Sequence, residues 1–79
     1  MTAKEMFKNL GYYLYRNGDL ELSYRKCCDG LEEIITFWLN TKEYNSIFCD
    51  REEIDIRDIT FEEHKAIHQQ CKELGWLDD

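Results

Sequence analysis

Apolar residues recur at helical spacing near both ends of the chain, and between these stretches apolar and polar residues alternate. Ala3, Met6, Phe7 and Leu10 share one stripe of a first helix. In "TFEEHKAIHQQCKELGW", plotted at about 100° per residue, Phe61, His64, Ile67, Cys71 and Leu74 share another, with His68 at its flank. Both stretches are punctuated alike. Thr2 and Glu5, then Thr60 and Glu63, have the spacing of a capping box, in which hydroxyl and carboxylate satisfy the free N–H groups of a first turn. Gly11 and Gly75 can adopt the left-handed conformation that ends a helix, letting Tyr12 and Trp76 pack back. Two helices are predicted.

The alternating region is cut by Asn17–Gly18 and Asp29–Gly30, both strong hairpin signals. Taken as two-residue turns, the first pairs Tyr15 with Leu20 and Tyr13 with Leu22. The second pairs Tyr24 with Ile35, Leu22 with Phe37, Leu20 with Leu39 and Lys26 with Glu33. Both registers place Tyr13, Tyr15, Leu20, Leu22, Tyr24, Ile35, Phe37 and Leu39 on one face, and a one-residue slip would break that agreement. An even-numbered loop near Thr41–Lys42 adds Tyr44, Ser46 and Phe48 to this face; an odd one reverses them. Residues 50–59, "DREEIDIRDI", alternate acids with Ile54 and Ile56 and read as an extended connector or a short edge strand. The expected architecture is α+β, a four-stranded antiparallel meander flanked by an N-terminal and a C-terminal helix (α-β-β-β-β-α), forming one domain over residues 1–79.

Composition narrows the class. The 79 residues leave room for one modest core, and 43% hydrophobic with 34% charged residues is a globular balance. A net charge of −7 argues against direct binding to nucleic acid or anionic lipid. The start, "MTAKEMFKNL", is charged and has no apolar run, and no stretch approaches a membrane span. A cytoplasmic location with reduced Cys27, Cys28, Cys49 and Cys71 is expected.

Candidate chemistry is sparse. His64 and His68, four apart, with Cys71 beyond them, could share a zinc ion, as in a small metal-stabilised domain. However, Lys65 stands where the H-E-x-x-H pattern needs glutamate, and no C-x-x-C supplies a fourth ligand. The competing reading is packing, with His64 and Cys71 near the middle of the buried stripe. Adjacent Cys27 and Cys28 are expected to point to opposite sheet faces. Ser23 and Ser46 lack a nucleophile elbow, and no carboxylate pair is singled out. The chain reads as a non-enzyme that needs no cofactor.

The second sheet face is more telling. The same registers place Tyr12, Leu14, Ile34, Thr36, Trp38 and Ile47 there, among Glu21, Ser23, Arg25 and Glu32. A solvated face would be more polar, and a patch with a central tryptophan suits an interface. Leu14, Ile34, Trp38 and Ile47 are the candidate contact residues. The alternative is that residues 50–59 or the tail at Trp76–Leu77 fold over them. A separate candidate is the run Asp50, Glu52, Glu53, Asp55 and Asp58, whose carboxylates could imitate phosphates, although Arg51 and Arg57 dilute it.

The opening "TAKEMFKNLGY" and the ending "ITFEEHKAIHQQCKELGW" resemble small uncharacterised proteins encoded by phages and prophages of Gram-positive bacteria. The resemblance covers both ends and extends to the strands only by pattern. It carries over no activity and no site residues. It implies an accessory role in a bacterial cytoplasm, exerted by binding host factors. The expected function is therefore protein–protein interaction, with a host factor or as a homodimer. The alternatives are acidic mimicry against a nucleic-acid-binding or defence protein, and the metal-stabilised domain.

Overall fold

The computed structural model describes residues 1–51 and 53–77. The chain runs α1 (Ala3–Asn9), β1 (Tyr13–Asn17), β2 (Glu21–Cys28), β3 (Leu31–Trp38), β4 (Glu43–Asp50), β5 (Glu53–Ile56) and α2 (Phe61–Glu73). The class is α+β, but the antiparallel sheet has five strands in the order β1-β2-β3-β4-β5 rather than four. The added strand is the Ile54/Ile56 segment, which pairs with β4 through Ile47–Ile56 and Cys49–Ile54.

Both helices begin and end as their residues dictate. The Thr2 Oγ1 accepts from the Glu5 N–H at 3.2 Å, and the Thr60 Oγ1 from the Glu63 N–H at 3.1 Å; each glutamate reaches back to the cap's own N–H. At the other ends the N–H of Tyr12 donates to the Phe7 carbonyl and that of Trp76 to the Cys71 carbonyl. Gly11 and Gly75 sit at φ 95° and 75° to allow these turns. Each turn drives an aromatic residue inward. Tyr12 is buried edge-on to Phe7, their ring centroids 5.7 Å apart, and Trp76 lies 6.1 Å from Phe37.

The core lies between the helices and one sheet face. Phe7, fully buried, stacks on Tyr24 at 4.1 Å, and Ile35, Phe37, Ala66, Ile67 and Cys71 complete the layer. Tyr24 donates to the Gln70 Oε1 at 2.6 Å, and burial pushes its phenol up to about 12. The Ala3 N–H donates to the Glu73 carboxylate at 2.7 Å, linking the start of α1 to the end of α2.

The hairpins divide instructively. At Asp29–Gly30, φ is 51° and 81°, the double left-handed geometry of a tight turn, and every pair expected between β2 and β3 within the ladder is present. Lys26 Nζ and Glu33 Oε2 lie 4.0 Å apart. The next loop is even-numbered, so Tyr44, Ser46 and Phe48 do face the helices. A Cβ added at Gly30 meets nothing within 4 Å, so Gly30→Ala tests backbone conformation alone. Urea denaturation should show a loss of about 1 kcal/mol, and an unchanged midpoint would refute that.

At Asn17–Gly18 the expectation fails. Neither residue has positive φ, so no two-residue turn forms; the Gly18 N–H instead donates to the Glu21 carbonyl at 2.8 Å. The observed pairs are Tyr13–Arg25 and Leu14–Tyr24, then, after a bulge at Tyr15, Arg16–Ser23 and Asn17–Leu22. The turn after α1 fixes Tyr12 inward, and alternation then brings Leu14 inward too. Tyr13, Tyr15 and Leu20, expected in the core, are exposed. Leu14, expected on the second face, packs against the core.

Helix α2 is also rotated from its expected setting. Its buried residues are Glu63, Ala66, Ile67, Gln70 and Cys71, whereas Phe61 and His64 are exposed. Two inward polar side chains with fixed partners, Glu63 and Gln70, account for the rotation.

Candidate functional site

The sheet face turned away from the helices carries Ile34, Trp38 and Ile47 together, as expected, but without Leu14. Strand alternation adds Ile54 and Ile56, because Ile56 pairs with Ile47 and Ile54 with Cys49. A single row, Tyr13–Arg25–Ile34–Ile47–Ile56, crosses all five strands. Among the described residues neither proposed cover reaches it. Residues 53–56 extend the sheet instead of folding over it, and Trp76 and Leu77 pack against the core on the helix side.

The outer face has two halves of different character. On the β1–β2 half the charges neutralise one another. Arg16 pairs with Glu21 at 3.0 Å; Arg25 pairs with Glu32 and donates to the Tyr13 hydroxyl at 2.8 Å. Both guanidinium groups lie over the Tyr15 ring, at 5.4 and 5.2 Å. Between Tyr15 and Trp38 a shallow groove of about 300 Å³ has Ser23 and Thr36 as its floor. On the β4–β5 half Ile34, Ile47, Cys49, Ile54 and Ile56 form an apolar cluster flanked by Glu32, while Glu43 and Asn45 share the face nearer Trp38. Ile34 and Ile47 are half-buried, Trp38 is 38% exposed, Ile54 70% and Ile56 89%. Isoleucines that open to water are unusual on a plain solvated face.

The acidic residues lie beside this half. Asp50, Glu53 and Asp55 are exposed and, by strand alternation, project to the helix side of the β4–β5 end. Asp58 follows in the connector, also exposed, while Glu52 lies outside the described residues. Arg51 is exposed nearby, but Arg57 is drawn inward. It donates to the Ser46 hydroxyl at 2.8 Å and to both Glu63 oxygens at 2.9 and 3.0 Å. Tyr12 donates to Glu63 at 2.5 Å, and Glu33 lies 3.7 Å from Arg57. Burial acts to raise the Glu63 carboxyl, but the Tyr12 hydroxyl, Arg57 and the Thr60 N–H outweigh it and hold it below its usual value. This cluster anchors the connector to the helix layer, and alternation alone does not reveal it.

The three metal candidates are not brought together. Cys71 is buried on the inner side of α2, where burial raises its thiol, while His64 and His68 are exposed on the outer side. The two histidines line an open groove of about 330 Å³ with Phe61 and Lys65, and His64 stacks on Phe61. Among the described residues no group of three His, Cys, Asp or Glu side chains could hold a metal ion. Cys27 and Cys28 pair in register with Glu32 and Leu31, so they lie on opposite sheet faces as expected, and both are exposed near the β2–β3 hairpin tip.

Among the described residues no helix is long and apolar enough to cross a membrane. No family model, curated protein or solved structure matches the chain.

Proposed function

We propose that this chain is a non-enzymatic interaction protein that binds another protein through the outer sheet face, with Ile34, Trp38 and Ile47 as its centre. The observation that carries this reading is the exposed Ile34–Ile47–Ile56 row, with Trp38 beyond Thr36 on the same face of β3. Burying such surface gains about 25 cal/mol per Å², and tryptophan is a frequent anchor of binding energy. The sequence resemblance to phage and prophage proteins supports an accessory role in a bacterial cytoplasm, acting on a host factor. Wild-type, Trp38→Ala, Ile47→Ser and His68→Ala baits should be compared on lysate of a Gram-positive host, with folding verified by circular dichroism. The captured proteins are expected to be lost with the two face variants and kept with His68→Ala. Identical capture by all four baits would sink the reading.

A second reading makes the acids the recognition element, imitating the phosphates that a nucleic-acid-binding or defence protein grips. It is favoured by Glu53 and Asp55, exposed and directed to the same side of one strand. Reversing both charges should abolish that association and flatten its salt dependence. Unaltered binding would eliminate mimicry.

A further inference from the structure

The reading of the outer face as an interface leaves open what kind of chain meets it, and the free edge of β5 narrows the answer. The sheet has two edges. β1 is interrupted by the bulge at Tyr15, which breaks its ladder and makes a poor template. β5 pairs regularly with β4, and among the described residues nothing lies against its other side.

The ladder fixes what that edge offers. The Arg57 N–H donates to the Ser46 carbonyl at 3.2 Å, making Arg57–Ser46 a hydrogen-bonded position. In an antiparallel pair such positions alternate, so Asp55–Phe48 and Glu53–Asp50 are also hydrogen-bonded, and the residues between them turn their backbone groups outward. The N–H and C=O groups of Ile54 and Ile56 therefore face the free edge. Their side chains continue the apolar row, whereas Glu53 and Asp55 project to the opposite side.

From this we infer that β5 takes up an extended segment of a basic partner protein as a sixth, antiparallel strand, in which apolar residues alternate with lysine or arginine. Residues directly opposite one another share a face, so partner residues opposite Ile54 and Ile56 lie on the apolar side. The residue between them meets Asp55, and its flanking neighbour meets Glu53; both positions favour a cation. Backbone hydrogen bonds provide the pairing, and the alternation provides the selectivity. A second copy of this chain fits poorly. Pairing β5 with itself would bring Glu53 and Asp55 against the same acids, and each chain carries a net charge of −7.

The probe is a capped peptide of alternating lysine and valine, titrated into the ¹⁵N-labelled protein. A glutamate–valine peptide and a block-ordered lysine–valine peptide of the same composition serve as comparisons. The alternating basic peptide should bind best, weaken with salt, and slow amide exchange at Ile54 and Ile56. Ile54→Pro removes an outward N–H without removing a ladder bond, and should weaken binding about tenfold or more. Asp55→Lys, a change at an exposed position, should shift preference towards the glutamate peptide and tests the same idea if the proline variant misfolds. Equal binding of the block-ordered peptide, no binding of any peptide, or insensitivity to both variants would overturn the inference. Shifts confined to Ile34 and Trp38 would overturn the edge while leaving the interface reading intact. Sedimentation showing a dimer that Ile54→Pro dissolves would identify a second copy as the occupant and overturn it equally.

Discussion

Glu63→Gln should destabilise the protein by about 3 kcal/mol, the low end for breaking a buried ion pair by removing one partner. The Glu63 side chain is 5% exposed and that of Arg57 14%. The amide would lose the charge opposing Arg57 and present an N–H₂ where Tyr12 and Arg57 both donate. Glu33, 3.7 Å from Arg57 and partly solvated, and access of water to the guanidinium limit the damage. A domain this small has a stability on the order of 5 kcal/mol, so the loss is a large fraction of the whole. The same pair predicts a pH dependence. The folded-state pKa of Glu63 lies below its usual value of 4.5, so the unfolded chain binds more protons in that range. Its stabilisation is therefore fully present above about 4.5 and is lost as pH falls through the depressed folded value. Urea midpoints measured from neutral to acid pH should fall less steeply for Glu63→Gln than for wild type. Parallel curves would remove Glu63 as a source of acid sensitivity.

Phe7→Ala should cost more, about 3–5 kcal/mol, because a large ring would vanish from a fully enclosed position. Phe7 touches three aromatic residues at once. It stacks on Tyr24 and meets Tyr12 and Phe37 edge-on, at 5.7 and 6.3 Å. The seven residues of α1 are too few for a helix to persist unaided, so packing has to hold it in place. Loss of the ring should release α1 first. Native-state hydrogen exchange would then show α1 amides opening before those of β2 and β3. Phe7→Leu, which keeps much of the apolar volume, should recover most of the stability. A small loss for Phe7→Ala, or uniform opening of all elements, would contradict this account.

The parts legible in the sequence were those governed by local chemistry. Capping boxes, glycine stops and the Asp29–Gly30 turn depend on residues a few positions apart, and each took the expected form. The β2–β3 register followed from that turn and put Ile34 and Trp38 on one face, while Ile47 joined them only because the next loop has an even number of residues. The misreadings came from distant partners. Asn17–Gly18 had the right residues for a tight turn, but the burial of Tyr12 after α1 set the alternation of β1 and exposed Tyr13 and Tyr15. The setting of α2 depended on Arg57 and Tyr24, whose bonds to Glu63 and Gln70 turned two polar residues inward and left His64 in water. A wheel that treats polar side chains as solvent-seeking cannot anticipate such pairings. Ile54 and Ile56 were visible as an alternating pair, yet their part in the outer face emerged only once β5 was paired with Ile47 and Cys49.

The lock between the two helices also bears on synthesis. α1 packs on Tyr24 and Phe37 from the sheet, but its N–H at Ala3 is held by Glu73, near the end of α2. A ribosome releases the chain from its N-terminus at about 5–20 residues per second. The strands β1–β4 are therefore translated before the residues of α2 that cover Ile35 and Phe37. During that interval the apolar faces on both sides of the sheet are open to water, and any factor that shields nascent chains would meet this protein then.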